Sequence, residues 1–247
     1  MLQTLGNFDG LLSLASDAAA TPLAQGPAIA KLIPLLPLLG CLLCGVFATL
    51  RVKSKLPAYA TVALLATAFL ATLSVYSGHP AAPHGGAQVV HLLDWIHFNW
   101  APGKAFIANF AFYIDSLTLL WMLFVTLLAT LIALSASEYM QHDLGTGYCR
   151  FFAAFNLFVF SMACLVMGDN LLLLYLGWEG VGLCSYLLIG YFYQRPAAVA
   201  AAKKAFIMNR IGDLGLALGI MLCFVQFGTI EYAALFEKIR PYIEMAK

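Results

Sequence analysis

Glu179, Arg210, Asp213 and Lys203 are the residues of this 247-residue chain whose types and spacing could do chemistry. Glu179 sits near the middle of DNLLLLYLGWEGVGLCSYLLIGYFY, and Arg210 and Asp213 lie inside AAKKAFIMNRIGDLGLALGI, both otherwise apolar enough for a bilayer. A charge at mid-helix costs roughly 2.5–3.5 kcal/mol on insertion scales. Three unpaired charges would cost on the order of 9 kcal/mol, so they are expected to meet one another. At 1.5 Å per residue, Glu179 lies about 14 Å below one boundary and Asp213 about 14 Å below the other. In a core about 30 Å thick the two carboxylates reach nearly the same depth. Arg210, one turn before Asp213, shares its helix face.

The expectation is an acid–base–acid group near the midplane, with Glu179 facing Arg210 and Asp213. Lys203, seven residues before Arg210, returns to the same face and extends the polar track towards the nearer boundary. Lys204 points elsewhere and snorkels to the interface. Proton relays and ion paths need groups of this kind. Burial and a neighbouring cation act on a carboxyl group in opposite directions, and their balance is what a relay requires. The alternative is an ion cluster that only docks two helices, and it stays open most of all for Arg210 and Asp213.

The elements that must position these groups follow from composition. The chain is 62% hydrophobic and 10% charged, against about 25% charged in a soluble domain, so it reads as an all-α integral membrane protein. A net charge of +1 gives no reason to propose a nucleic-acid partner. Runs of about 20 apolar residues predict six transmembrane helices over 32–50, 58–76, 112–136, 151–168, 170–193 and 204–227, the fourth and fifth joined tightly through MGDN. Residues 1–30 read as an extra-membrane or interfacial segment without the basic start of a signal peptide, 31–228 as the helix bundle, and 229–247 as an extra-membrane tail. Arg51, Lys53, Lys55, Arg150, Arg195 and Lys203 collect in the loops on one side. By the positive-inside rule that side is cytoplasmic and the N-terminus is outside.

The outer loop between the second and third spans carries His79, His84, His91 and His97. Their spacing matches no zinc pattern, and a structural loop is favoured. Within it, QVVHLLDWIHFNWAPGKAFIANFAFYID could form a β-hairpin on the membrane face with APGK as its turn. Cys41 and Cys44 form a C-x-x-C inside an apolar run, where two small residues on a packed face are favoured over a redox or metal pair. Gly177, Gly180 and Gly182 permit close approach of a neighbouring helix. Trp178 is read as a packing residue in preference to a cavity wall.

The two stretches around Glu179 and Arg210, with YIDSLTLLWMLFVT and YCRFFAAFNLFVFSM upstream, closely resemble the subunit L family of bacterial respiratory complex I, the proton-translocating NADH–quinone oxidoreductase. The resemblance runs over about 33–228 and is densest over 168–219. It implies an antiporter-like, multi-pass subunit of the bacterial inner membrane, packed against other membrane-arm subunits and the lipid bilayer and moving protons. It implies no cofactor in this chain, with NAD, FMN, iron–sulfur clusters and quinone held by other subunits, so the chain has no redox active site of its own. The family's fifth-helix glutamate in GWEGVG corresponds to Glu179, and NRIGD carries Arg210 and Asp213 beside it. Multisubunit sodium–proton antiporters and membrane-bound hydrogenases share the fold and are the alternative, though their motif around the glutamate usually differs. The family member is far longer, with a broken seventh helix bearing a lysine partner for the glutamate. This chain therefore reads as an N-terminal portion that does not translocate protons alone.

Overall fold

A computed structural model describes residues 24–78, 87–101 and 104–245. Helices α1 (Leu32–Thr49), α2 (Leu56–Gly78), α3 (Ser116–Tyr139), α4 (Thr146–Met167), α5 (Leu171–Ile189) and α6 (Pro196–Phe227) are each long and apolar enough to cross a membrane. A seventh helix, α7 (Tyr232–Met245), follows them. Between α2 and α3, strands β2 (Gln88–Ala101) and β3 (Lys104–Ile114) form an antiparallel hairpin, and a two-residue strand β1 (Ala24–Gln25) pairs in parallel with β2. The hairpin expected from the alternation of aromatic and polar residues is present, with Ala101 opposite Lys104 at its turn. His91 lies 3.0 Å from Asp94 within β2. His79 and His84 lie outside the described residues, and among the described ones no three His, Cys, Asp or Glu side chains come together as a metal site.

Two helix starts differ from those that apolar runs predict. Phe112 to Ile114 belong to β3, where Phe112 pairs with Val90, so the third helix begins at Ser116 rather than 112. Asp115 caps it, accepting from the Thr118 N–H at 2.7 Å, because a short carboxylate satisfies an otherwise unpaired donor of the first turn. The sixth helix begins at Pro196 rather than 204. Proline is preorganised for the first helical position, and the alanines after it are the best helix formers, so the helix runs continuously into and past Lys203 and Lys204. At 32 residues α6 is about 48 Å long, and Asp213 stays near its middle.

Helices α1 to α4 share the core. Ile33, Val75, Val90, Phe112, Leu119 and Met167 are buried together at the hairpin end, and Leu65, Ala133, Tyr148 and Phe152 at the opposite end. Between them Asn156 of α4 donates to Thr61 of α2 at 2.7 Å and lies against Gly40 of α1, where a Cβ would come within 2.6 Å of the amide oxygen. Cys44 is buried beside Thr61, 3.6 Å away, in keeping with a packing role for that residue, while Cys41 is only part-buried. Helix α5 packs on α4, and α6 packs chiefly on α5, burying Ala202 and Asp213.

The hairpin is tied to the α4–α5 turn and to the start of α7. The Asp169 N–H donates to Ala111, Leu171 N–H to Ile230 and Tyr232 N–H to Asp169, while the buried Asn170 caps α5 and donates to the Asn109 carbonyl at 2.8 Å. Asp169 is itself buried here. Loss of water and the nearby Glu231 carboxyl push its carboxyl up to about 7, against a partial lowering by the Asn170 amide 2.5 Å away. Burial raises Glu231 as well. An acid held above its unfolded value contributes stability that is complete below that value and is lost as pH rises through the folded one. Protection of the Leu171 and Tyr232 amides from hydrogen exchange, corrected for intrinsic rate, is therefore expected to fall between about pH 4 and about pH 7. Asp169→Asn should flatten that dependence. Equal protection across the range in the unsubstituted protein would contradict it.

Candidate functional site

Glu179 lies midway along α5 because Asn170 fixes where that helix starts. Asp213 lies midway along α6, which runs back antiparallel after the turn at 190–195. Packing the two helices brings their midpoints together, and the three mid-helix charges meet. The Arg210 guanidinium forms an ion pair with Glu179, and its Nη1 lies 3.7 Å from Asp213 Oδ2. The Asp213 side chain is 4% exposed, that of Glu179 20% and that of Arg210 36%. The cation is thus shared between a closely held carboxylate and a more distant one.

Two donors complete the group. The Tyr175 hydroxyl donates to Glu179 Oε1 at 2.8 Å, and the Trp178 indole N–H donates to Asp213 Oδ1 at 2.6 Å. Each acid therefore has one neutral donor from α5. The guanidinium also lies over the Phe206 ring, 4.5 Å from its centroid, a cation–π contact that is strong when desolvated. Arg210 Nε and Asp213 Oδ2 are left without hydrogen-bond partners among the described residues. Two carboxylates against one guanidinium leave the group one negative charge in excess if both acids are ionised.

Lys203 is exposed on α6, and no hydrogen bond or ion pair joins it to the group among the described residues. Tyr175 was visible in the sequence only as the residue one helical turn before Glu179. The bond from Trp178 has no signal in helical spacing, since its side chain leaves the face of Glu179 and crosses to α6. Trp178 is more than packing. Trp178→Phe removes a hydrogen bond to a buried carboxylate and is expected to destabilise the α5–α6 contact by about 1.5 kcal/mol. The unfolding midpoint in detergent measures it, and an unchanged midpoint would show that the bond contributes nothing.

The glycines beside these residues set how close the helices come. Gly177 and Gly180 face Leu165 and Ser161 of α4, while Gly182 faces Asn209 of α6.

Fold and site together define a class: a polytopic membrane protein holding an acid–base–acid group midway along two packed spans. Residues 168–246, which carry all four charged candidates, match the family model described as NADH:quinone oxidoreductase/Mrp antiporter, TM. Residues 100–152 match the model for NADH-Ubiquinone oxidoreductase (complex I), chain 5 N-terminus. The chain is 45% identical over 202 residues to NADH-quinone oxidoreductase subunit L of Pseudomonas aeruginosa, covering 81% of this chain and 32% of that protein. It is 48% identical over 139 residues to subunit L of Mycobacterium tuberculosis, covering 56% of this chain and 22% of that one. The chloroplastic NAD(P)H-quinone oxidoreductase subunit 5 of Mesostigma viride is 38% identical over 221 residues, 87% of this chain and 32% of that protein. The chain belongs to this family of antiporter-like membrane subunits of NADH-quinone oxidoreductases. It spans about a third or less of the length of these relatives.

Proposed function

We propose that the chain supplies a proton-holding site to the membrane arm of a proton-translocating NADH–quinone oxidoreductase, with Glu179 as the proton carrier. The observation that supports this most is the shared cation: one guanidinium serves two mid-helix carboxylates, pairing with Glu179 and standing 3.7 Å from Asp213. Arginine stays charged throughout, so the charge that changes is a carboxylate's. A proton arriving on Glu179 weakens its hold on Arg210 and frees the guanidinium to close on Asp213, whose Oδ2 has no other partner among the described residues. Tyr175 and Trp178 keep the two acids in place while the cation moves between them. Lys203 would relay protons at the cytoplasmic end of α6, with the N-terminus outside. Electron transfer takes place in other subunits, which hold the NAD, FMN, iron–sulfur clusters and quinone.

The second reading is a sodium–proton antiporter or hydrogenase subunit. A sodium ion would want several oxygen ligands in place of a guanidinium, and here Arg210 occupies the space between the acids. Sodium is therefore expected to leave transport unchanged. Glu179→Gln in the assembled complex tests the main reading through NADH-driven proton pumping. Loss of pumping with the complex intact supports it, and unchanged pumping overturns it.

A further inference from the structure

At the end of the bundle away from the hairpin, a cavity of about 490 Å³ opens between α1, α4, α5 and α6. Its depth is apolar, formed by Cys41, Phe151, Ala154, Leu157, Leu187 and Ala202. The volume lies within the range of ligand sites, about 300–1,000 Å³. At its lip are Arg150, Tyr191 and Tyr193, and these three also line an adjoining polar pocket together with His142, Asp143 and Arg195. One continuous groove thus passes from an apolar slot among the spans to a basic, hydrogen-bonding mouth.

The two arginines at that mouth are held without being neutralised. The Arg150 guanidinium lies 5.2 Å from the Tyr193 ring centroid and 6.0 Å from that of Tyr191, and Arg195 lies 5.0 Å from the Phe192 ring. Aromatic faces position a guanidinium and leave its N–H donors free. Among the described residues neither arginine forms an ion pair with a carboxylate. The acid of the pocket, Asp143, accepts from the Tyr191 hydroxyl at 3.2 Å. The mouth therefore carries two arginines against one carboxylate, and planar guanidinium groups are suited to bidentate contact with phosphate.

We infer that this groove binds an anionic phospholipid, with its phosphate between Arg150 and Arg195 and an acyl chain laid along Leu157 and Leu187. The charge of the mouth selects the headgroup, and the apolar slot selects an attached chain over a free anion. Basic pockets between transmembrane helices on the cytoplasmic side suit such headgroups. The inference rests on the membrane reading and on the cytoplasmic placement of this end proposed above, and is independent of proton transfer at Glu179.

The test uses the complete membrane complex in nanodiscs doped with a phosphatidylglycerol that carries a photoreactive group in its acyl chain. Labelled peptides are then mapped by mass spectrometry. Labelling is expected on the α4 and α5 segments that contain Leu157 and Leu187, and should fall about tenfold or more in an Arg150→Gln, Arg195→Gln double variant. Leu157→Trp keeps both arginines and fills the slot, so it should also remove the label from α5, which guards against misfolding of the double variant. Four results would overturn the inference: equal labelling in the double variant, equal labelling by a phosphatidylcholine probe, displacement by free glycerol phosphate, or an unlabelled groove covered by protein.

Discussion

Glu179→Gln is expected to reduce NADH-driven proton pumping to background in membrane vesicles while the complex still assembles. The substitution keeps the side chain's size and still lets the Tyr175 hydroxyl donate to Oε1, so the contact seen at 2.8 Å survives. What disappears is the negative charge that pairs with Arg210, and with it the carboxylate that could take up a proton. The remaining charges, Arg210 and Asp213, then balance one to one, and the guanidinium is expected to close the 3.7 Å gap to Asp213 and stay there. Removing one partner of a buried ion pair is costly when it strands the other charge, but Asp213 remains beside Arg210, so the helices are expected to stay docked and the complex to assemble. Glu179→Asp restores the charge on a shorter arm and should recover part of the pumping. Full pumping by the Gln variant would make the carboxylate a helix-docking group and overturn Glu179 as the proton carrier.

Gly177→Leu is expected to prevent docking of α5 and to remove the subunit from the assembled membrane complex. A Cβ at Gly177 would lie 2.7 Å from Leu165 Cα and 2.8 Å from the Ser161 carbonyl oxygen. These are backbone atoms of α4, which cannot rotate aside as a side chain can, so the helices must part. Even Gly177→Ala should cost about 1–3 kcal/mol, the usual penalty for overpacking a filled interface. Parting α5 from α4 also shifts the start of α5, where Asn170 reaches the Asn109 carbonyl. Gly45→Ala is the control, since nothing lies within 4 Å of a Cβ there, and better helix propensity favours it. The measurement is the detergent-unfolding midpoint of each variant and its recovery in the purified complex. Equal midpoints for the Gly177 and Gly45 alanine variants would show that the close approach of α4 and α5 carries no weight.

The membrane class, the helical spans and the mid-helix positions of Glu179, Arg210 and Asp213 were legible in the sequence because each depends on local quantities. Apolar run length sets the spans, and residue count along a helix of fixed rise sets the positions. The cost of an unpaired charge in lipid then requires three charges at one depth to meet. The hairpin was legible for a similar reason, since alternation of side chains along a strand is a local pattern. Helix starts were less so: Phe112 is as apolar as a span residue but is committed to β3 by pairing with Val90, a partner 22 positions away. The start of α6 at Pro196 was missed in the same way, since the Lys203–Lys204 pair interrupts an apolar run that alanine-rich helix propensity carries through.

Only the tertiary structure decided which donor serves which acid. The helical period allowed Tyr175 to face Glu179, but the bond from Trp178 to Asp213 depends on how α6 is rotated against α5. Asp169 reads in the sequence as a loop charge at the membrane surface. It is buried because the hairpin and α7 close over it from opposite directions along the chain. The groove beneath Arg150 exists only where α1, distant in sequence, leaves space against the consecutive helices α4, α5 and α6. Local chemistry settles what a segment must bury, whereas the partner that buries it is a property of the packed chain.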